Sequence, residues 1–338
     1  MAANLKTIAE MAGVSTVTVS NVINGKYNKA SKETIDKVQK IIDETHYQPN
    51  ASARSLVSKQ SHMIGVVLPN IGDDQIFSVS PYNTNILAYL EQYIRNRDYY
   101  MMFRCVNNIR DIVPVFSSWN VDGALLLSVF AHDAVEVQKA LHIPAVFIDT
   151  HGDDSQLANV GIDDYKGGYL AGKHLVDNGH RRIAFVGPDT NFPGVMQERY
   201  RGFCDALAEK GIEFSREDFY ETDTDFRKGL AVGERIGASE REYTAVAAMA
   251  DILALGIMEG LRRAGKEIPD DVSVIGFDNL QMCQFSHPQL TSISQNLEEK
   301  ARIAADYLFA MMLDEEPYSG SKSVEVELIE RQSVKSLL

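Results

Sequence analysis

The chain has 338 residues, 45% of them hydrophobic and 24% charged, which is ordinary globular composition and enough length for more than one domain. Its net charge of −14 repels nucleic acid from most of the surface, so any such contact has to be confined to a locally basic segment. No N-terminal apolar segment reads as a leader, and no apolar run approaches the roughly 18 residues that span a bilayer, so a cytoplasmic protein without membrane contact is expected. Cys105, Cys204 and Cys283 are few and far apart, with no CxxC or Cys/His spacing suited to zinc. They are expected to be reduced core thiols, with no metal or cofactor bound.

The basic segment is the N-terminus. Residues 1–60 hold eight Lys/Arg against five Asp/Glu, about +3, and leave the rest of the chain at about −17. Within it, Thr7 followed by Glu10 three residues later reads as a capping box, and Ile8, Ala9 and Ala12 mark one apolar face of a short helix. Gly13 ends that helix, and Ser15 is a good N-cap for a second. In the second, Val19, Val22 and Ile23 share a face while Val17 and Asn21 lie opposite. A third amphipathic helix, from Ser31 to about His46, presents Ile35, Val38, Ile41 and Ile42 and would complete a small core. Two short helices across a glycine turn fit a helix-turn-helix, whose second helix enters the major groove of DNA. An exposed valine such as Val17 offers little in water unless something covers it. Asn21 is able to bond bidentately to adenine, and the methyls of Thr16 and Val17 suit a thymine methyl. Ser20 and Thr7 suit phosphates.

After Pro49, the segment Ala51–Val57 is too short to be a stable helix alone. From Met63 onward, apolar strands alternate with helices, the signature of a parallel α/β sheet. Ile64–Pro69, Tyr100–Cys105, Gly123–Leu127 and Ala145–Asp149 read as buried strands. A second set then repeats the first. IAFVGP at Ile183 echoes IGVVLP 119 residues later, and VSVIGFD ending at Asp278 echoes IPAVFID ending at Asp149. Two similar halves imply two lobes, with ligands beyond the carboxyl ends of the strands, where Asp149 and Asp278 fall.

GGYLAGK at Gly167–Lys173 nearly satisfies a phosphate-binding loop, but His174 stands where Ser or Thr would hold magnesium, and Asp164–Asp177 reads as one continuous helix. There is no HExxH and no GxSxG, and nothing else supports an enzyme.

The AGVS turn, the VSNVING end of the second helix, YQPNASARSL, IGVVLP and VGIDDYKGGYLAGKHLVDNGHRRIAFVG occur in the order and spacing of one family. The chain resembles the lactose-repressor (LacI/GalR) family of bacterial transcription regulators over essentially its whole length. The resemblance implies an N-terminal all-α helix-turn-helix head on an α/β two-lobed, periplasmic-binding-protein-like core of parallel sheets joined by three crossover strands, near Gly161, Ser292 and Ser323. It assigns 1–47 to the head and 48–62 to a hinge helix. The N-terminal lobe takes 63–161 and about 293–322, and the C-terminal lobe takes 162–292 and about 323–338.

The implied function is that of a nucleoid-associated homodimeric repressor on a pseudo-palindromic double-stranded operator. Thr16, Val17 and Asn21 match the family's recognition positions, and Arg54 and Leu56 fall in the hinge, with Leu56 as the minor-groove wedge. In the cleft, Arg199, Asp149, Asp251 and Asp278 match effector-binding positions, though Asp251 is as well suited to capping its helix and Asp149 to serving a turn. The family's NPFF loop is replaced by IGDDQIFSVSPYNTN, about seven residues longer, where Phe77 or Tyr82 would supply an aromatic face, a core or loop role suiting either residue as well. Ala250 stands in place of the usual Asn, and Thr224 where many members carry an aromatic. A sugar or sugar phosphate is the implied effector, with a purine-type corepressor or a protein partner as alternatives. A solute-binding protein without DNA function would have no use for residues 1–60. Trp119 is expected to pack beneath the sheet edge.

Overall fold

The computed structural model describes residues 4–23, 25–47, 60–69, 80–150, 157–191, 194–314 and 320–338. The chain divides into two units, Met1–His62 and Met63–Leu338.

In the first unit, three helices, α1 (Leu5–Ala12), α2 (Thr16–Ile23) and α3 (Lys32–Thr45), close on a core of Ile8, Ala9, Ala12, Val19, Val22, Val38 and Ile41. Gly13 ends α1 in the left-handed conformation, with φ of 70°, which glycine adopts without steric cost. Ser15 caps the second helix by accepting from the Thr18 amide at 3.1 Å, and Ser31 caps the third. The first cap differs from the sequence reading. Asn4 takes the N-cap position, its carboxamide oxygen accepting from the amides of Lys6 and Thr7 at 3.0 Å each. Thr7 is thereby inside the helix, and its hydroxyl also bonds to Asn4, at 3.2 Å. An Asx cap immediately before Leu5 serves two amides at once, which leaves Thr7 no capping role.

The second unit holds two six-stranded sheets. The first has strand order β11-β5-β4-β3-β1-β2, from β1 (Met63–Pro69), β2 (Tyr100–Val106), β3 (Gly123–Leu127), β4 (Ala145–Ile148), β5 (Ala158–Ile162) and β11 (Gly320–Val324). All of its pairings are parallel. The second has order β12-β10-β9-β8-β6-β7, from β6 (Ile183–Gly187), β7 (Phe219–Glu221), β8 (Ala245–Ala248), β9 (Ser273–Asp278), β10 (Thr291–Ser294) and β12 (Glu327–Ile329). Only β12 runs antiparallel, against β10. The sequence repeat is thus a repeat of position: β6 occupies in the second sheet the place of β1 in the first, and β9 the place of β4.

Helices cover both faces of each sheet, so the strands are apolar on both sides. On the first sheet, α4 (Pro81–Arg95) and α11 (Leu297–Met312) pack Ile86, Leu90, Ile94, Ala304 and Leu308 against Ile64, Val66, Leu125 and Val146. On the opposite face, α5 (Ile112–Trp119) and α6 (Ala131–Leu141) cover Val67, Leu126 and Phe147. The second sheet is flanked by α7 (Asp164–Asp177) and α8 (Val195–Ala208) on one face, and by α9 (Phe226–Gly237) and α10 (Asp251–Arg263) on the other. The chain crosses between the sheets after β5, after β10 and after β11.

GGYLAGK lies within α7, as its pattern predicts, and its glycines serve packing. A Cβ on Gly168 would come 1.9 Å from the Arg199 carbonyl oxygen, and one on Gly202 would come 2.0 Å from that of Tyr165. The backbones of α7 and α8 therefore touch. Trp119 departs from expectation: at the C-terminal end of α5 it is 59% exposed, because the chain turns through Asn120 in the left-handed conformation before β3 and leaves the indole outside the core.

Candidate functional site

The equivalent positions of β4 and β9 bring Asp149 and Asp278 to the carboxyl ends of the two sheets, both with positive φ, 55° and 113°. Around them lie buried polar groups drawn from both halves. Arg199, on α8, is 6% exposed. Its Nε donates to Asp164 at 2.8 Å and its Nη1 to the Met249 carbonyl at 2.9 Å, while the guanidinium lies 3.7 Å from the centre of the Phe277 ring. Burial opposes the Arg199 charge, and the carboxylates of Asp164, Asp278 and Asp149 outweigh it, so its pKa stands above the ordinary value. This arrangement explains why the helix contact at Gly168 and Gly202 matters, since α8 carries the arginine.

Asp149 is held by two groups of its own half. Its Oδ1 accepts from the Lys300 ammonium at 2.8 Å, and its Oδ2 accepts from the Tyr82 hydroxyl. Burial, and next the Asp149 carboxylate, raise the Tyr82 phenol well above its usual pKa. Lys300 is completely buried and also donates to Gln295 Oε1 at 2.6 Å, while Gln295 Nε2 donates to Asp278 Oδ1 at 2.5 Å. Desolvation, and then the Asp251 carboxylate, push the Asp278 carboxyl up to about 8, against the opposing pull of Arg199 and Lys300. Beside Asp149, the buried Thr150 hydroxyl has no hydrogen-bond partner among the described residues.

Asp251 stands apart. As the first residue of α10 it is fully buried, with Oδ1 accepting from the Ser292 hydroxyl at 2.6 Å and Oδ2 from the Leu280 amide at 2.7 Å. Both oxygens are engaged in tying α10 to the loop after β9 and to β10. Phe77, Arg54 and Leu56 lie outside the described residues.

Three participants were missing from the sequence reading: Lys300, Gln295 and Asp164. Lys300 left a signal, because it interrupts the apolar stripe Leu297, Ala301, Ala304, Leu308 and Met311 that faces the core. Gln295 and Asp164 left none, being polar residues at element edges where polar residues are common.

In the head, Thr16 and Val17 are exposed and Ser20 and Asn21 half-buried, and all four share the side of α2 opposite Val19 and Val22. At 66% exposure, Val17 is an apolar side chain held in water on that face. Among the described residues, no helix is long and apolar enough to cross a membrane, and no group of three or more His, Cys, Asp or Glu side chains is placed to hold a metal.

A helix-turn-helix head joined to a two-lobed α/β core, with buried charges at the strand ends, defines a DNA-reading, ligand-binding class of protein. Residues 4–50 match the family described as bacterial regulatory proteins, lacI family, and residues 173–334 match the periplasmic binding protein-like domain. The chain is 32% identical to the HTH-type transcriptional repressor PurR of Mannheimia succiniciproducens over 342 aligned residues, covering 99% of each protein. Among solved structures it is similar to the transcriptional regulator CelR in complex with cellobiose (26% identity, 98% of this chain and 99% of that one, TM-score 0.73). It also shares the fold of the Lac repressor dimer bound to operator and the anti-inducer ONPF (24% identity, 99% and 100% covered, TM-score 0.86). The chain belongs to the LacI family of bacterial transcription regulators. It is a DNA-binding repressor-type regulator, and its relatives are repressors rather than enzymes.

Proposed function

We propose that this regulator is a homodimer that binds a pseudo-palindromic operator and is controlled by a small, uncharged polar ring compound bound around Asp278 and Arg199. The observation that carries the ligand class is the charge balance of the site. Both buried cations are already paired, Arg199 with Asp164 and Lys300 with Asp149, each at 2.8 Å, and Asp278 and Asp251 add further carboxyl groups against one further, half-buried cation, Arg331, which is itself engaged by the Asn279 side-chain oxygen and the Leu290 carbonyl. Among the described residues a phosphate would meet there no cation that is not already engaged by protein groups, and burying an uncompensated charge is costly. This disfavours a sugar phosphate. The Asp278 carboxyl and the Arg199 edge beside Phe277 suit a planar ring with adjacent donors and acceptors. A purine-type corepressor fits that description, and the PurR name of the relatives favours it. An unphosphorylated sugar is the second reading, supported by the cellobiose complex of a structural neighbour.

On the DNA side, Thr16, Val17 and Asn21 read base edges, Ser20 and Thr7 meet phosphates, and Arg54 with Leu56 engages the minor groove from the hinge. Operation on DNA places the protein in the cytoplasm. Ligand changes the angle between the lobes and thereby the fit of the paired hinges.

The test is a thermal-shift screen of the full chain against nucleobases, sugars and their phosphates, since a ligand that binds only the native state raises Tm by mass action. A nucleobase or sugar should raise Tm while its phosphate ester does not. Asp278→Ala should lose that shift and retain operator binding. A phosphate ester that outperforms its parent compound would overturn the charge argument.

A further inference from the structure

Lys300 does more than neutralise one carboxylate. An ammonium has three N–H donors, and among the described residues the three acceptors around Lys300 Nζ are Asp149 Oδ1 at 2.8 Å, Gln295 Oε1 at 2.6 Å and the Tyr82 oxygen at 3.3 Å. Asp149 is completed by the Tyr82 hydroxyl, and Gln295 by Asp278. The result is a chain of bonds, Tyr82 to Asp149 to Lys300 to Gln295 to Asp278, made wholly of protein groups. Its first three members sit on α4, at the end of β4 and on α11, around the first sheet, and its last ends β9 in the second. Gln295, 1% exposed, lies in the crossing segment between β10 and α11.

We propose that Lys300 is a tethered internal ligand of the cleft, which takes the donor position on Asp149 and, through the Gln295 amide, latches the first lobe to Asp278 of the second. This rests on the cleft being the effector site. A hydroxyl or amine aimed at Asp149 has to displace a cation held at high effective concentration by its own helix, so Asp149 is closed to the effector. The effector instead engages Asp278, competes with Gln295 for that carboxyl and releases the latch. The specificity of the site is thereby set by the second lobe, and Lys300 excludes donor-rich ligands that would otherwise bridge both aspartates.

The test measures the distance between lobes in the full chain, without DNA or effector. Spin labels are placed at Lys139→Cys on α6 and Glu240→Cys before β8, both exposed, with Cys105 and Cys204 replaced by serine and labelled protein diluted into unlabelled protein. The wild-type latch should give one narrow distance distribution. Gln295→Leu cuts the bridge yet leaves the Lys300–Asp149 pair intact, and should give a broader, longer one. Gln295→Glu should do the same above about pH 8, where Asp278 is ionised and the two carboxylates repel, and recover the narrow distribution as acid returns a proton to the pair. Lys300→Met should broaden it as well, and if that variant does not fold, the two Gln295 variants decide. Wild-type distributions in both Gln295 variants would overturn the latch. A ligand screen with no hit would count against the effector reading alone, because the distance measurement uses no ligand.

Discussion

Asp278 is the residue where burial and chemistry conflict most openly. Its folded pKa, raised to about 8 by desolvation and by Asp251, lies far above the value of about 3.9 expected in an unfolded chain. A raised folded value means that the native state keeps the proton while the unfolded state has lost it, so the stabilisation is fully present below about pH 4 and is lost as pH rises toward 8. Asp278→Asn keeps a carbonyl to accept from Gln295 and removes the ionisation. Its Tm should match wild type near pH 4 and exceed it by a margin that grows up to about pH 8. Calorimetric melts across that range would show it, and a constant difference would mean that the carboxyl ionises freely in the fold.

Between elements, the closest constraint is the contact of α7 with α8. Gly202→Ala places a methyl group about where the Tyr165 carbonyl oxygen sits, since an ideal Cβ there is 2.0 Å away. Overpacking of this kind costs about 1–3 kcal/mol, and in a domain of this size each kcal/mol lowers Tm by roughly 2–4 °C. Because α8 carries Arg199 over Phe277, the same change should weaken the response to a cleft ligand; an unchanged Tm and response would show that the helices separate freely. The glycines of α7 also mark how far the sequence could be read. Periodicity placed the helix from Asp164 to Asp177, and apolar runs located the strands, because those signals are local. The matched aspartates were legible as an echo of two strands. The pairing of Lys300 with Asp149 was not, since it joins residues 151 positions apart through a fold that no local pattern encodes. Thr7 shows the opposite limit: its spacing to Glu10 was correct, and an upstream Asn4 with better reach to the free amides took the cap.

For the whole molecule, the proposed pseudo-palindromic operator would require two heads, and the core has one groove that a second copy would suit. Phe285 is 72% exposed and lines one groove with Phe226, Leu255, Met258 and Met282, edged by Glu259, Arg262 and Arg263. A contiguous apolar patch rimmed by charges of both signs is what a two-fold interface needs, because each residue must meet its counterpart's neighbour. Introducing a carboxylate at its centre buries an uncompensated charge on both sides of the axis. If that groove is the interface of the proposed homodimer, Phe285→Asp should sediment as a monomer at concentrations where the wild type sediments as a dimer. Affinity for a full palindrome should fall at least about tenfold, equivalent to roughly 1.4 kcal/mol, while affinity for an isolated half-site stays the same. Cleft ligands should still shift its Tm, since the groove lies on α9, α10 and the turn after β9, and Asp278 keeps its bond to Gln295. A dimer that survives this substitution would move the interface to another face, and equal losses at palindrome and half-site would mean that the head, rather than the assembly, had been damaged.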